Sequence, residues 1–369
     1  MPPMNVLIKP ASGLCNMHCD YCFYCDEISK RSQEVYGLMS DITIKNVIRK
    51  TISHAEGSIT YAFQGGEPTL CGLGFFEKVI ALQKQYNRHG IRIYNSFQTN
   101  GYLIDDSWCE FFQKNHVLVG LSVDGVQETH DLFRHTKTGE PTYKIIEQAA
   151  RKLDRYKVEY NILTVVNKKT AERVKEIYKD YRKHGWRYQQ YIACLDPMGE
   201  EHGKNEYALT PDEYGEFLVK LFDLWYQDYQ KNQAPYIRQF YNYVQIMTGQ
   251  CPESCEQTGQ CGIQIVVEAD GSVFPCDFYV IDPYYLGNFN KDRIQVINNR
   301  RKEIGFIERS RKLSRECREC KFYFICRGGC QRNRDFYEEK QGYKNYFCKS
   351  YQAFFEHSLE RITKIADEL

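Results

Sequence analysis

The sequence predicts an α/β fold, an incomplete (β/α)6 barrel followed by a cysteine-rich region. Two observations predict it. Six short runs rich in β-forming residues alternate with helix-length segments in the first half, and nine of the sixteen cysteines fall within residues 251–348. Such alternation gives parallel strands joined by crossover helices, in either an open doubly wound sheet or a barrel, and six units suggest an incomplete barrel.

The strand-like runs are residues 6–9, 59–63, 91–97, 117–123, 158–166 and 188–194. Helical segments are expected between them at 42–54, 74–86, 105–114, 143–156 and 171–184. Periodicity stops at 197–212, where Gly, Glu, Lys, Asn and Pro collect, so a connection begins there. An aromatic helical stretch follows from about residue 213 to 247, broken near Pro235. A barrel domain is therefore expected over 1–200, a helical connection over 201–250, and a cysteine-rich domain over 251–369 that ends in an amphipathic helix. With only short β-like pieces such as 263–267, this last region is expected to fold around metal rather than a large apolar core.

The 369 residues suffice for two cores. Acids and bases nearly balance at a net charge of +1, so neither a nucleic-acid footprint nor a polybasic membrane surface is implied. The N-terminal stretch lacks the pattern of a secretory signal, and no apolar run approaches membrane-spanning length. A cytoplasmic location is expected. In a reducing compartment the sixteen cysteines read as metal ligands rather than disulfides.

Directly after the first strand, Cys15, Cys19 and Cys22 give the spacing C-x3-C-x2-C. Three soft ligands suit three irons of a four-iron cluster and leave the fourth iron open to a small molecule. A structural zinc site would take four protein ligands. The second strand ends in Gln64-Gly65-Gly66-Glu67-Pro68, where glycines permit close backbone approach and the glutamate can accept from an ammonium group. Ser122 and Asp124 end the fourth strand, and Arg134 follows. Further on, Cys261, Gly271 and Cys276 form C-x9-G-x4-C. Cys317, Cys320, Cys326 and Cys330 form C-x2-C-x5-C-x3-C, with Cys348 beyond.

The first cysteine motif, with Phe23 and Tyr24 after it, resembles the signature of the radical S-adenosylmethionine superfamily. The later spacing resembles its SPASM extension, present in enzymes that modify peptides and proteins. Residues 7–12, 62–69 and 275–279 resemble the anaerobic sulfatase-maturating enzymes in particular, and the likeness spans almost the whole chain.

That resemblance implies a partial TIM-like barrel with a C-terminal SPASM domain, three [4Fe-4S] clusters and S-adenosylmethionine. It places Cys15, Cys19 and Cys22 on the first cluster, and Tyr21, Gly65, Gly66, Glu67, Ser122, Arg134 and Leu195 around the cofactor, with Arg134 on its carboxylate and Leu195 against the adenine. Cys255, Cys261, Cys276 and Cys330 would hold one auxiliary cluster, and Cys317, Cys320, Cys326 and Cys348 the other. Zinc in their place is the alternative. Clusters with four protein ligands have no open iron, which suits electron transfer. Cys251 is not counted as a ligand, and Cys25, Cys71, Cys109 and Cys194 read as ordinary buried or partly buried residues.

The implied reaction converts a cysteine or serine of a sulfatase to Cα-formylglycine without oxygen. A 5′-deoxyadenosyl radical takes a hydrogen from the β-carbon, and loss of one further electron and a proton leaves a thioaldehyde or aldehyde. Asp277, beside Cys276, is the expected base, and Tyr24 and Gln64 are expected substrate contacts. The expected partners are a sulfatase polypeptide and an electron donor such as flavodoxin or ferredoxin, with no nucleic acid and no membrane. Another SPASM enzyme, one that crosslinks or epimerises a ribosomal peptide, is the competing reading. The first strand begins at about residue 5, which leaves no room for a leader-peptide domain and favours a locally recognised protein substrate. A non-catalytic iron-sulfur carrier leaves the three-cysteine loop and Gly65-Gly66-Glu67 unexplained.

Overall fold

A computed structural model describes residues 3–337 and 342–369. The chain divides into two compact units. The first comprises Met1–Ser122, Asp131–Asn161 and Ile263–Gly305, and the second Val123–His130, Ile162–Gly262 and Phe306–Leu369. In chain order the strands are β1 (Met4–Ile8), β2 (Met17–Cys19), β3 (Ser58–Phe63), β4 (Arg92–Thr99), β5 (Val117–Ser122), β6 (Arg134–Thr136), β7 (Tyr160–Val166), β8 (Tyr188–Ala193), β9 (Tyr236–Ile237), β10 (Ile265–Val267), β11 (Ser272–Phe274), β12 (Gly287–Asn288), β13 (Arg334–Tyr337) and β14 (Gly342–Asn345).

In the first unit β1, β3, β4 and β5 run parallel in that order, with Ile8 beside Phe63 and Phe63 beside Phe97. Val6, Leu7 and Ile8 are all buried, the mark of a strand covered on both faces. The crossover helix Asp41–Ile52 starts where the Ser40 side chain accepts from Thr43 N, and it buries Ile44, Val47, Ile48 and Ile52 on one stripe. Phe76 and Trp108, from the helices Leu73–Tyr86 and Asp106–Lys114, pack on Phe97 with ring centroids 4.9 and 5.5 Å away.

Part of the cysteine-rich region departs from the expectation that it folds around metal. Strand β10 lies parallel to β1, with Ile8 beside Val267, and β11 and β12 add on antiparallel. All three residues of β10 and all three of β11 are buried. The reason is that β1 needs a second neighbour: without β10 its outer amides and carbonyls would be an open edge.

In the second unit β7, β8 and β9 are parallel neighbours. The single helix expected at 171–184 is two, Lys168–Glu172 and Val174–Lys183. The long aromatic stretch is also two helices, Pro211–Tyr229 and Arg238–Met247, separated by β9. The first begins with a capping box of Thr210 and Glu213 and has Pro211 in its opening turn. Trp225 Nε1 donates to the Pro235 carbonyl at 3.0 Å and ties the connection back. The terminal helix Cys348–Asp367 packs on Pro211–Tyr229, with Phe354 edge-on to Phe222 at 5.7 Å. Among the described residues no helix is long and apolar enough to cross a membrane.

Candidate active site

The site in the first unit begins where the chain leaves β1. Gly66 N donates to the Ser12 carbonyl at 2.8 Å and Glu67 N to the Leu14 carbonyl at 2.7 Å, so the loop after β3 is docked on the loop that carries Cys15. A Cβ on Gly66 would sit 1.9 Å from the Leu14 oxygen, and only glycine fits. The close approach expected of these glycines is thus made to the cysteine loop.

Glu67 is buried, and burial pushes its carboxyl upward. Its Oε1 accepts from Thr69 N, Thr69 Oγ1 and Thr99 Oγ1 at 3.0, 2.7 and 2.9 Å. Its Oε2 accepts from Asn100 N at 2.8 Å, which leaves that oxygen with acceptor capacity for an ammonium donor. Asn100, which the sequence did not single out, also reaches Asn16 Oδ1 at 2.8 Å and Cys15 Sγ at 3.7 Å.

Cys19 lies in β2 opposite Arg134 in β6, and Arg134 Nη1 donates to the Tyr21 hydroxyl at 3.2 Å. Antiparallel pairing of two three-residue strands therefore brings Cys19, Tyr21 and Arg134 together. Cys22 N donates to the Cys19 carbonyl at 3.0 Å and closes the turn. The Cys22 thiol is lowered to about 7, first by a hydrogen bond from Cys25 and then, against burial, by the charges of Arg134 and Lys9. Cys25 itself is exposed, which corrects its reading as an ordinary buried or partly buried residue: it sits on the short helix Phe23–Ser29 and serves Cys22. Cys109 and Cys194 are buried and Cys71 half-buried, as expected. Burial pushes the Cys15 thiol upward.

Asp277, Gln64 and Tyr24 converge on a residue the sequence did not rank, Lys9. It follows β1, is completely buried, and places Nζ 2.6 Å from Asp277 Oδ1 and 3.7 Å above the Tyr24 ring. Gln64 Nε2 donates to the other oxygen, Asp277 Oδ2. The Tyr24 hydroxyl donates to Glu268, which also accepts from Arg31 Nη1 at 2.9 Å. Burial pushes the Glu268 carboxyl up to about 7. Leu7, Val266, Phe274 and Val280 pack around Tyr24, and Phe23 meets Phe278 edge-on at 4.8 Å. Ser122 closes β5 in the first unit with little exposure, and Leu195 follows β8 in the second.

In the second unit Cys317, Cys320, Cys326 and Cys348 line one cavity with Phe322 and Tyr351. Burial, reinforced by the neighbouring thiols, pushes Cys317 up to about 11 and Cys326 up to about 12. Four thiols around one space match a fully ligated four-iron cluster in donor type and number. Among the described residues no three His, Cys, Asp or Glu side chains close around a point suited to a single ion. Cys255, Cys261 and Cys330 lie in the same unit and act on one another electrostatically, while Cys276 belongs to the first unit. Arg334, buried, donates Nε to the Gly328 carbonyl at 2.9 Å, Nη1 to Ser310 at 2.6 Å and Nη2 to Gly259 at 2.9 Å, and so knits the backbone around these cysteines.

The radical SAM superfamily pattern matches residues 10–185, and the SPASM pattern, an iron-sulfur cluster-binding domain, matches residues 255–321. Over its whole length the chain is 43% identical to the cysteine-type anaerobic sulfatase-maturating enzyme of Clostridium perfringens, all of which is covered. The chain belongs to the anaerobic sulfatase-maturating enzymes. The solved structure of native anSMEcpe with bound AdoMet and Kp18Cys peptide matches this sulfatase-maturating enzyme with a TM-score of 0.94, 43% identity and full coverage of both chains. A serine-type member from Bacteroides thetaiotaomicron is 32% identical over 96% of this chain and 89% of its own. As a sulfatase-maturating enzyme the chain is a radical SAM protein of the parallel α/β class with a SPASM domain, and its cofactors are S-adenosylmethionine and iron-sulfur clusters.

Proposed function

We propose that this sulfatase-maturating enzyme oxidises a cysteine of a sulfatase polypeptide to Cα-formylglycine under anaerobic conditions, with Asp277 as the base. The observation that carries the assignment of Asp277 is its carboxylate, held between Lys9 Nζ at 2.6 Å and the Gln64 amide. When bound, S-adenosylmethionine and the cluster at Cys15, Cys19 and Cys22 supply the hydrogen-abstracting radical chemistry. The chain supplies position and a proton acceptor. Lys9 and the Gln64 amide hold the two carboxylate oxygens of Asp277 from either side and fix its plane. The remaining lone pairs of Asp277 face the substrate thiol, and Tyr24 and Gln64 bound the space beside it.

Arg134, steadied by Tyr21, binds the cofactor carboxylate, Glu67 accepts its ammonium group through Oε2, and Gly65 and Gly66 hold the loop that makes both possible. Ser122 and Leu195 complete the cofactor site, Leu195 against the adenine. Cys255, Cys261, Cys276 and Cys330 bind one auxiliary [4Fe-4S] cluster and Cys317, Cys320, Cys326 and Cys348 the other, for three in all. Functionally the chain divides into a radical domain over 1–200, a connection over 201–250 and an auxiliary-cluster domain over 251–369. It works in the cytoplasm with a flavodoxin or ferredoxin as reductant. Preference for cysteine is supported by 43% identity to a cysteine-type enzyme against 32% to a serine-type one.

The test is anaerobic incubation of reconstituted enzyme, reductant and S-adenosylmethionine with sulfatase-motif peptides carrying cysteine or serine, read by mass spectrometry. Conversion of the cysteine peptide to the aldehyde, with loss of sulfur, is expected. A crosslinked or epimerised peptide would overturn the reading.

A further inference from the structure

One buried cation of the first unit has no role in the site described so far. Ile294, Ile297 and Arg301 lie on one face of the helix Ile294–Glu303, at spacings of three and four residues, and all three are buried. The helix packs on β12, where a Cβ at Gly287 would come within 3.2 Å of Ile297 Cγ1. Its neighbours Arg300 and Lys302 are exposed, whereas Arg301 keeps only 3% of its surface. An arginine in the run Asn-Asn-Arg-Arg-Lys reads as solvated, yet this one occupies the apolar stripe.

None of Nε, Nη1 and Nη2 of Arg301 makes a hydrogen bond with a described residue. A guanidinium carries five donors, and buried charged groups are paired. Arg334 shows how this chain satisfies such a group when the purpose is structural, with every nitrogen on a backbone carbonyl. Arg301 has no such set. Strand β11 pairs with β12, on which the Arg301 helix packs, and Cys276 follows β11 by two residues. Burial pushes the Arg301 guanidinium down to about 10, and the one titratable group that opposes this is Cys276.

We propose that Arg301 donates to the auxiliary iron-sulfur cluster at Cys276, balances its charge and raises its reduction potential, favouring its use as the acceptor of the electron the substrate loses. The inference rests on the assignment of Cys276 as a ligand. A cluster held by four thiolates is an anion with sulfur acceptors, so it is the partner this cation lacks. It gains one negative charge when it takes up one electron, so a fixed cation stabilises the reduced form more than the oxidised form. Hydrogen bonds to the sulfurs act in the same direction. Arg301 is thereby a positioning residue that acts through the cluster and does not touch the sulfatase chain.

Redox titration of the holoenzyme followed by electron paramagnetic resonance, with iron and sulfide counted per chain, tests this on Arg301→Gln and Arg301→Lys. In Arg301→Gln one auxiliary midpoint potential is expected to move negative while the other clusters keep theirs, with iron content unchanged. Arg301→Lys, which keeps the charge and gives up the planar fork, is expected to lie between it and the wild type, and it serves alone if the Gln variant does not fold. A variant that melts like the wild type but assembles one cluster fewer would show that Arg301 is needed to hold the cluster and would overturn its role in setting the potential. Fully loaded variants with every potential unmoved would overturn it. Should Cys276→Ala keep the full wild-type iron content, the ligand assignment would fail first, a result distinct from failure at Arg301.

Discussion

Lys9 Nζ lies 2.6 Å from Asp277 Oδ1, in a pair whose lysine is wholly buried and whose aspartate is 13% exposed. The two residues are 268 positions apart in sequence, and both loops that carry them stem from neighbouring parts of one sheet. Removing one partner from such a pair leaves a buried charge without compensation, at a cost of about 3–5 kcal/mol. Lys9→Met is expected to lower the melting temperature and to slow formylglycine formation together, with the first cluster still present by iron analysis.

Asp277→Asn keeps the volume but turns one of the two accepting oxygens into a donor and removes the proposed proton acceptor. Product formation is expected to fall by roughly 10²–10⁴-fold, the usual contribution of a general base. Release of 5′-deoxyadenosine in the presence of dithionite should persist. A variant that forms full product would remove Asp277 from the mechanism.

Gly66→Ala forces its Cβ into the Leu14 carbonyl, 1.9 Å away. Backbone on both sides must move, and the loop displaced is the one carrying Cys15. The expected outcome is loss of the first cluster after anaerobic reconstitution while the auxiliary clusters assemble, read as a partial drop in iron per chain.

Cys320→Ala removes one wall of the four-thiol cavity. About one cluster's worth of iron should be lost, a cluster of this type requiring four thiolates. Unchanged iron content would show that the cavity holds no cluster.

His202 is pinned between two carboxylates, Nδ1 3.0 Å from Asp196 Oδ2 and Nε2 3.2 Å from Asp335 Oδ1, and stacks on Tyr346. These partners raise it to about 9. Because the folded value lies above the ordinary one near 6.5, protonation stabilises the fold at low pH, and that contribution disappears as pH rises through about 9. With partial exposure the effect is roughly 2 kcal/mol. Thermal stability is expected to decline between pH 7 and 10, and His202→Gln should flatten that decline.

Much of this was legible in the sequence. The six barrel strands stand within two residues of their expected ends, because each is a run of β-formers bounded by breakers. The family was legible for a different reason: the motif of Cys15, Cys19 and Cys22 is local, and its spacing carries the radical SAM resemblance. The partners of the site were not. Arg134 reaches Tyr21 only through pairing of β2 with β6, strands of three residues that leave no periodic signal. Lys9, Arg31, Asn100 and Glu268 act on residues distant in the chain, and a lysine behind an apolar strand looks like any other strand end. Arg301 was hidden in a basic run, since burial of one side chain among exposed neighbours depends on helix phase against β12.

The parallel pairing of β10 with β1 has a consequence for biosynthesis. While the ribosome has delivered only the first two hundred or so residues, β1 shows a bare flank, and Lys9 and Arg31 have yet to meet Asp277 and Glu268. The nascent polypeptide therefore stays incomplete and prone to wrong association until its final third emerges, so a fragment cut after the last barrel strand is expected to precipitate rather than act as a minimal catalyst.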